Sequence, residues 1–127
     1  MAASDPVSRI RPDERVEGDA TPGMIRERAI AVEGMWAGLV RTDAHMTSGW
    51  HHHGDFESTI YVLTGIFRME FGPGGREVIE AEPGDFLYVA PRVIHREGNP
   101  SDRESQIVVV RSGSGQPVVN VDGPEPA

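Results

Sequence analysis

The stretch Gly49-Trp50-His51-His52-His53-Gly54-Asp55-Phe56-Glu57-Ser58-Thr59-Ile60-Tyr61-Val62-Leu63 sets a cluster of ligand-type side chains directly before the clearest β-strand of the chain. Extended backbone sends successive side chains to opposite faces, so His51 and His53 project together while His52 points away. Two neutral imidazoles side by side are half a metal site. Glu57 can add a hard oxygen ligand, and the distant His95 can complete a set of three nitrogens and one oxygen. The run Ser58 to Leu63, rich in β-branched and aromatic residues and ended by Thr64-Gly65, is a strand by composition.

The same texture continues on both sides. Towards the C-terminus, Ile66 to Phe71 alternates and stops at Gly72-Pro73-Gly74-Gly75, a hairpin turn with Arg76 to Glu80 as the return strand. Glu82-Pro83-Gly84-Asp85 is a tight turn into Phe86 to Val89, and Pro91 closes that strand before the loop that carries His95. Gln106 to Val110 is an almost unbroken apolar run, expected to be buried on both faces, and Pro117 to Val121 reads as an edge strand after a Ser/Gly linker. Towards the N-terminus, Met35 to Thr42 is a β-type run after Gly34. Met24 to Val32 reads as a strand, with a helix as the alternative because Arg26, Glu27, Arg28 and Ala29 favour one.

Short strands punctuated by Gly and Pro, with no long helical pattern, predict an all-β, antiparallel closed or sandwiched architecture. A chain of 127 residues is one domain. The expected organisation is an extended N-terminal arm over 1–23, a barrel over 24–121 and a flexible C-terminal tail over 122–127. Pro6, Pro12, Pro22 and scattered charges mark the arm, and Asp5-Pro6 and Asp13-Glu14 read as solvated.

Composition narrows the chemistry. A net charge of −8 argues against nucleic acid and anionic membrane surfaces, which demand a basic footprint. All twelve basic residues are Arg, so Schiff-base and lysine-base mechanisms fall away, although GC-rich codon usage explains the missing Lys equally well. Without Cys there is no disulfide framework, thiolate zinc cluster or cysteine nucleophile. No apolar run reaches membrane-spanning length and no signal-peptide core is present, which makes the cytoplasm the expected location.

Two separated motifs then resemble those of the cupin superfamily. The first half, an HxH pair followed by Glu and a strand-closing Gly, reads His51, His53, Glu57 and Gly65. The second, a Gly, a strand, a Pro turn, a His and an Asn four residues later, reads Gly84, Pro91, His95 and Asn99. The resemblance runs from Met35 to Val110 and implies a double-stranded β-helix, or jelly-roll, barrel holding one divalent ion (Fe, Mn, Ni or Zn) on His51, His53, Glu57 and His95. Three positions depart from the pattern. Seven residues rather than six separate Glu57 from Gly65, so Ser58 takes the usual spacing; if Ser58 faces inward with Ile60 and Val62, Glu57 faces outward unless a bulge near Gly54-Asp55 restores it. Ala90 replaces the first Pro of the turn, and Arg92 stands where Gly is frequent.

The functional expectation is a small metalloenzyme acting on a small organic metabolite, by dioxygenase chemistry with iron or by isomerase, lyase or hydrolytic chemistry with other ions. Tyr61, Tyr88 and metal-bound water are candidate acids or bases, and Arg92 is a candidate contact for an anionic substrate. The alternative is a non-catalytic small-ligand binding or sensor module. A metal-free structural barrel becomes favoured if Glu57 points outward. A homodimer is expected because the β-rich chain would otherwise expose sheet edges. Blander readings hold for the rest: His52 and His45 at the surface, Asn99 pinning its loop, Arg26 and Arg28 on a solvated strand face. Among Trp50, Phe56, Met69, Phe71, Phe86 and Tyr88, at most two are expected to touch a ligand.

Overall fold

A computed structural model describes residues 6–18, 21, 23–124 and 126. Asp5, Pro22 and part of the tail, Glu125 and Ala127, lie outside the described residues. The strands are β1 (Val16–Glu17), β2 (Met24–Val32), β3 (Met35–Thr42), β4 (His51–His52), β5 (Glu57–Thr64), β6 (Phe67–Phe71), β7 (Glu77–Ala81), β8 (Phe86–Val89), β9 (His95–Gly98), β10 (Ser105–Ser112) and β11 (Val119–Asn120). They form two antiparallel sheets. One runs β1-β2-β3-β10-β5-β8 and the other β11-β4-β9-β6-β7. This is the all-β double-sheet barrel that the alternating patterns require, with the chain crossing from sheet to sheet through its Gly and Pro turns.

The core sits between the sheets. Met24, Trp36, Val40, Ile60, Val62, Phe67, Met69, Ile107 and Val109 are buried there, each from an inward position of a strand that shows its alternate residues to the outside. Met24 to Val32 is strand and not helix: it pairs with β3 along its length, with a bulge between Arg28 and Ile30, and cross-strand pairing outweighs the helix propensity of its charged residues. The expectation for Gln106 to Val110 is corrected. Ile107 and Val109 are buried, but Val108 and Val110 are only half-buried on the outer surface, because one sheet face of β10 points away from the barrel. From the arm, β1 adds to the edge of β2 through Val16↔Arg28 and Glu17↔Glu27.

Two turns fix the site. Gly65, at φ +74°, ends β5 where an added Cβ would lie 2.8 Å from the Ser105 Cβ, so glycine is required both by backbone and by space. Between β4 and β5 the chain reverses at His53–Phe56, closed by the Phe56 N–H donating to the His53 carbonyl and by Gly54 at φ +58°. That turn carries the chain from one sheet to the other and resets which residues face inward.

Candidate metal centre

On the inner face of the smaller sheet, β4 and β9 are antiparallel neighbours with His51 directly opposite His95. His53 follows at the start of the turn, and its ring lies 5.1 Å from that of His51 and 5.0 Å from that of His95, centroid to centroid. The fourth member is Glu97, two residues beyond His95 and therefore on the same face of β9. One ligand atom from each of His51, His53, His95 and Glu97 can be chosen so that all lie within 4.8 Å of one another, and all four side chains are buried.

The backbone sets the ring orientations. His51 Nδ1 donates to the Gly49 carbonyl at 3.0 Å, His53 Nδ1 to the Pro117 carbonyl at 2.7 Å and His95 Nδ1 to the Val93 carbonyl at 2.9 Å. A carbonyl oxygen only accepts, so each Nδ1 carries its hydrogen and each Nε2 is left with a lone pair aimed at the shared space. Glu97 Oε1 sits 3.1 Å from His95 Nε2 and 3.7 Å from His51 Nε2. Lone pairs facing a carboxylate at these distances need a positive centre between them, a proton or a metal ion. The residues thus fit a divalent ion on the chemistry of the donor set.

Electrostatics favours the deprotonated donors. Burial pushes His53 down to about 2, with the Arg111 charge adding to it. Burial also lowers His51, against the opposing pull of Glu97. For Glu97, burial alone would raise the carboxyl, but hydrogen bonds from His51 and His95, made when a proton lies between Nε2 and the carboxylate, outweigh it and hold it well below the ordinary carboxylate range. Two guanidiniums share this interior. Arg26, only 2% exposed, donates to the Thr21 hydroxyl and approaches His51 Nε2 at 3.4 Å, and Arg111 lies over Trp36 at 4.4 Å. The solvated face expected for Arg26 is corrected: the strand alternation that buries Met24 also turns Arg26 inward, while Arg28 is exposed.

Glu57 does not join the cluster. It lies exposed on the outer face of β5 and accepts a 2.7 Å hydrogen bond from Tyr88 Oη. The reason is register. The His53–Phe56 reversal leaves Ser58, Ile60 and Val62 as the inward residues of β5, so Glu57, Thr59 and Tyr61 face out. The carboxylate beside the histidines is Glu97. Nor are the acid–base candidates brought to the site: Tyr61 packs against Phe86 on the outer face, Tyr88 is exposed beside Glu57, and Arg92 pairs with Asp55 at 2.6 Å in solvent. Arg92 also adopts φ +64°, where Gly is frequent in the resembling pattern. His52 turns away and accepts from the Gly54 N–H, and His45 is exposed. Asn99 pins its loop, donating to the Thr42 and Arg103 carbonyls and accepting from the Ser101 N–H and hydroxyl.

The family model described as a cupin domain matches residues 38–111, the span that contains all four clustered side chains. No curated protein matches the chain in sequence. Among solved structures, KdgF from Halomonas sp. superposes with a TM-score of 0.70 at 22% identity, over 85% of this chain and 96% of that one. The polyketide cyclase RemF from Streptomyces resistomycificus gives 0.74 at 17% identity, over 91% and 85%. Bacillus subtilis oxalate decarboxylase, described with Mn(II) centres, gives 0.70 at 18% identity over 84% of this chain and 30% of that one. At these identities the likeness is one of fold.

Proposed function

Because this chain belongs to the cupin family, with its model matched over more than half of the sequence, we propose that it is a mononuclear metal-binding protein that acts on a small organic molecule inside its barrel. His51, His53 and His95 hold the ion through Nε2, and Glu97 supplies the oxygen that the sequence pattern assigns to Glu57. The observation that carries the reading is the convergence of these four buried donors, with every Nδ1 committed to a backbone carbonyl. Such a donor set leaves coordination positions for water or substrate, and a bound divalent ion supplies Lewis-acid or oxygen-activating chemistry there. The outward Glu57 does not favour a metal-free barrel, since Glu97 provides the carboxylate in its place.

The chain's own groups serve the site in distinct ways. The three carbonyls orient the imidazoles, Arg26 and Arg111 add positive charge that suits an anionic substrate, and the apolar core excludes water from the inner side. The alternative of a non-catalytic ligand-binding module shares all of these features. Within the same proposal the protein works in the cytoplasm as a homodimer, supported by the exposed apolar residues Val32, Met35, Leu63 and Phe86. Among the described residues no helix is long and apolar enough to cross a membrane.

Elemental analysis of untagged protein tests the core of the proposal. One divalent ion per chain is expected, lost in a His51→Ala/His53→Ala variant that keeps its β-sheet circular dichroism. Stoichiometric metal in that variant would sink the assignment. Turnover against a set of small hydroxy acids and ketones then separates enzyme from binding module.

A further inference from the structure

We propose that Arg26 regulates the affinity of the centre for its ion: its guanidinium is a fixed cation, held against His51 by Thr21, that competes with the metal for the His51 Nε2 lone pair. The inference rests on the metal-site reading above and adds a positioning residue to it.

The strand supplies the charge. Arg26 follows buried Met24 by two residues on β2 and shares its inward face, opposite Val40 on β3, so a permanently charged side chain is carried into the barrel at 2% exposure. Burying a guanidinium is costly unless its donors find acceptors. Here Nη1 donates to the Thr21 hydroxyl, and Nη2 lies 3.4 Å from His51 Nε2.

The His51 ring has one lone pair to offer. Its Nδ1 donates to the Gly49 carbonyl, which leaves Nε2 as the acceptor nitrogen of the ring. A guanidinium hydrogen directed at that lone pair and an ion bound to it exclude one another. Charge acts in the same sense, because a cation this close raises the energy of a divalent ion on the same nitrogen, and buried surroundings screen little of the repulsion. Glu97 Oε1, 3.7 Å from His51 Nε2, attracts both rivals and does not decide between them.

Position makes the rivalry effective. Thr21 is buried and bridged to Met24, and its hydroxyl, having accepted from Arg26, reaches Asn120 Oδ1 at 3.5 Å. Asn120 on β11 is the direct cross-strand partner of His51 on β4. One end of the guanidinium is thus tied, through Thr21, to the strand beside His51, while the other end meets the His51 ring.

The test is a zinc titration of the full chain in competition with a chromophoric chelator. Arg26→Met, which keeps an unbranched stem without charge or donor, is expected to bind zinc at least about tenfold tighter than the unaltered protein. Arg26→Lys, which keeps a charge on a similar stem, is expected to stay within about threefold of the unaltered protein. Thr21→Val removes the hydroxyl that fixes Nη1 and is expected to fall between the two. A gain is the informative sign, since removing a residue that only supports the fold would weaken the site. Zinc affinity of Arg26→Met equal to or below that of the unaltered protein, at unchanged β-sheet circular dichroism, overturns the proposal, as does Arg26→Lys binding as tightly as Arg26→Met. If Arg26→Met does not fold, Thr21→Val decides: a gain upholds the proposal and no gain overturns it. The metal-site reading fails separately, as zinc retained by His51→Ala/His53→Ala, an outcome that overturns both. Zinc lost from that variant with no gain in Arg26→Met overturns the rivalry alone.

Discussion

His51 and His95 face one another across the β4–β9 ladder with their ring centroids 4.4 Å apart, although the strands that carry them belong to the two halves of the sequence motif. The ladder fixes the two Cα positions opposite one another, and each ring is oriented by its own carbonyl. A site built on paired strands is pre-organised, so ligand removal should act on metal affinity before it acts on fold.

Glu97 and Glu57 offer the sharpest contrast. Glu97 is 4% exposed with Oε1 beside two imidazoles, whereas Glu57 is exposed and tied to Tyr88. Glu97→Gln should weaken zinc or manganese binding by at least about tenfold. Glu57→Gln should leave it within twofold. Competition titration with a chromophoric chelator measures both, and the reverse order would return Glu57 to the site.

The register question explains how far the sequence could be read. His51 and His53 were legible from strand alternation, and His95 and Asn99 from their resemblance to the second half of the cupin pattern. Glu57 was not, because the Gly54 turn changes sheet, and the inward parity of β5 then follows Ile60 and Val62 rather than His51 and His53. Glu97 carried a usable signal: His95-Arg96-Glu97 is itself an alternating pair, as His51-His52-His53 is. Arg26 was obscured by its charged neighbours, and only its two-residue offset from buried Met24 pointed inward. Met69, Phe71, Phe86 and Tyr88 line one cleft of about 450 Å³ together with Val89, from strands of different sheets, a grouping that spacing along the chain does not show.

Asn99 bears on stability more than on chemistry. Its side chain donates to the Thr42 and Arg103 carbonyls at 3.1 and 2.6 Å and accepts twice from Ser101 while 2% exposed. Asn99→Ala should cost about 2–4 kcal/mol in urea unfolding, because buried carbonyls lose their partner. Metal affinity of the folded fraction should stay near that of the unaltered protein. A change under about 0.5 kcal/mol would show that the loop does not depend on this residue.

Tyr88 should prove dispensable for any proton transfer. Its hydroxyl is outside the barrel, and the hydrogen bond to Glu57 raises its pKa, which makes it a poorer base source near neutrality. Tyr88→Phe should leave the melting temperature and metal affinity unchanged. A large fall in turnover, once a substrate is in hand, would contradict the placement of this side chain.

Acid should loosen the metal-free protein well before ordinary carboxylates titrate. In the unfolded chain histidine takes a proton near pH 6.5, whereas folded His53 is held down to about 2 and folded His51 is also lowered. Between those limits the unfolded state binds more protons, so stability falls as pH falls. For His53 the slope approaches about 1.4 kcal/mol per pH unit below pH 6.5. The melting temperature of the metal-free chain should therefore decline steadily from pH 7 to pH 5, and His53→Gln should flatten that decline by about one proton's contribution. Added divalent ion should raise the melting temperature at pH 7 and lose its effect toward pH 5, as protons compete for the same Nε2 lone pairs. A metal-free melting temperature that stayed level between pH 7 and pH 5 would mean that these histidines are not held neutral by burial.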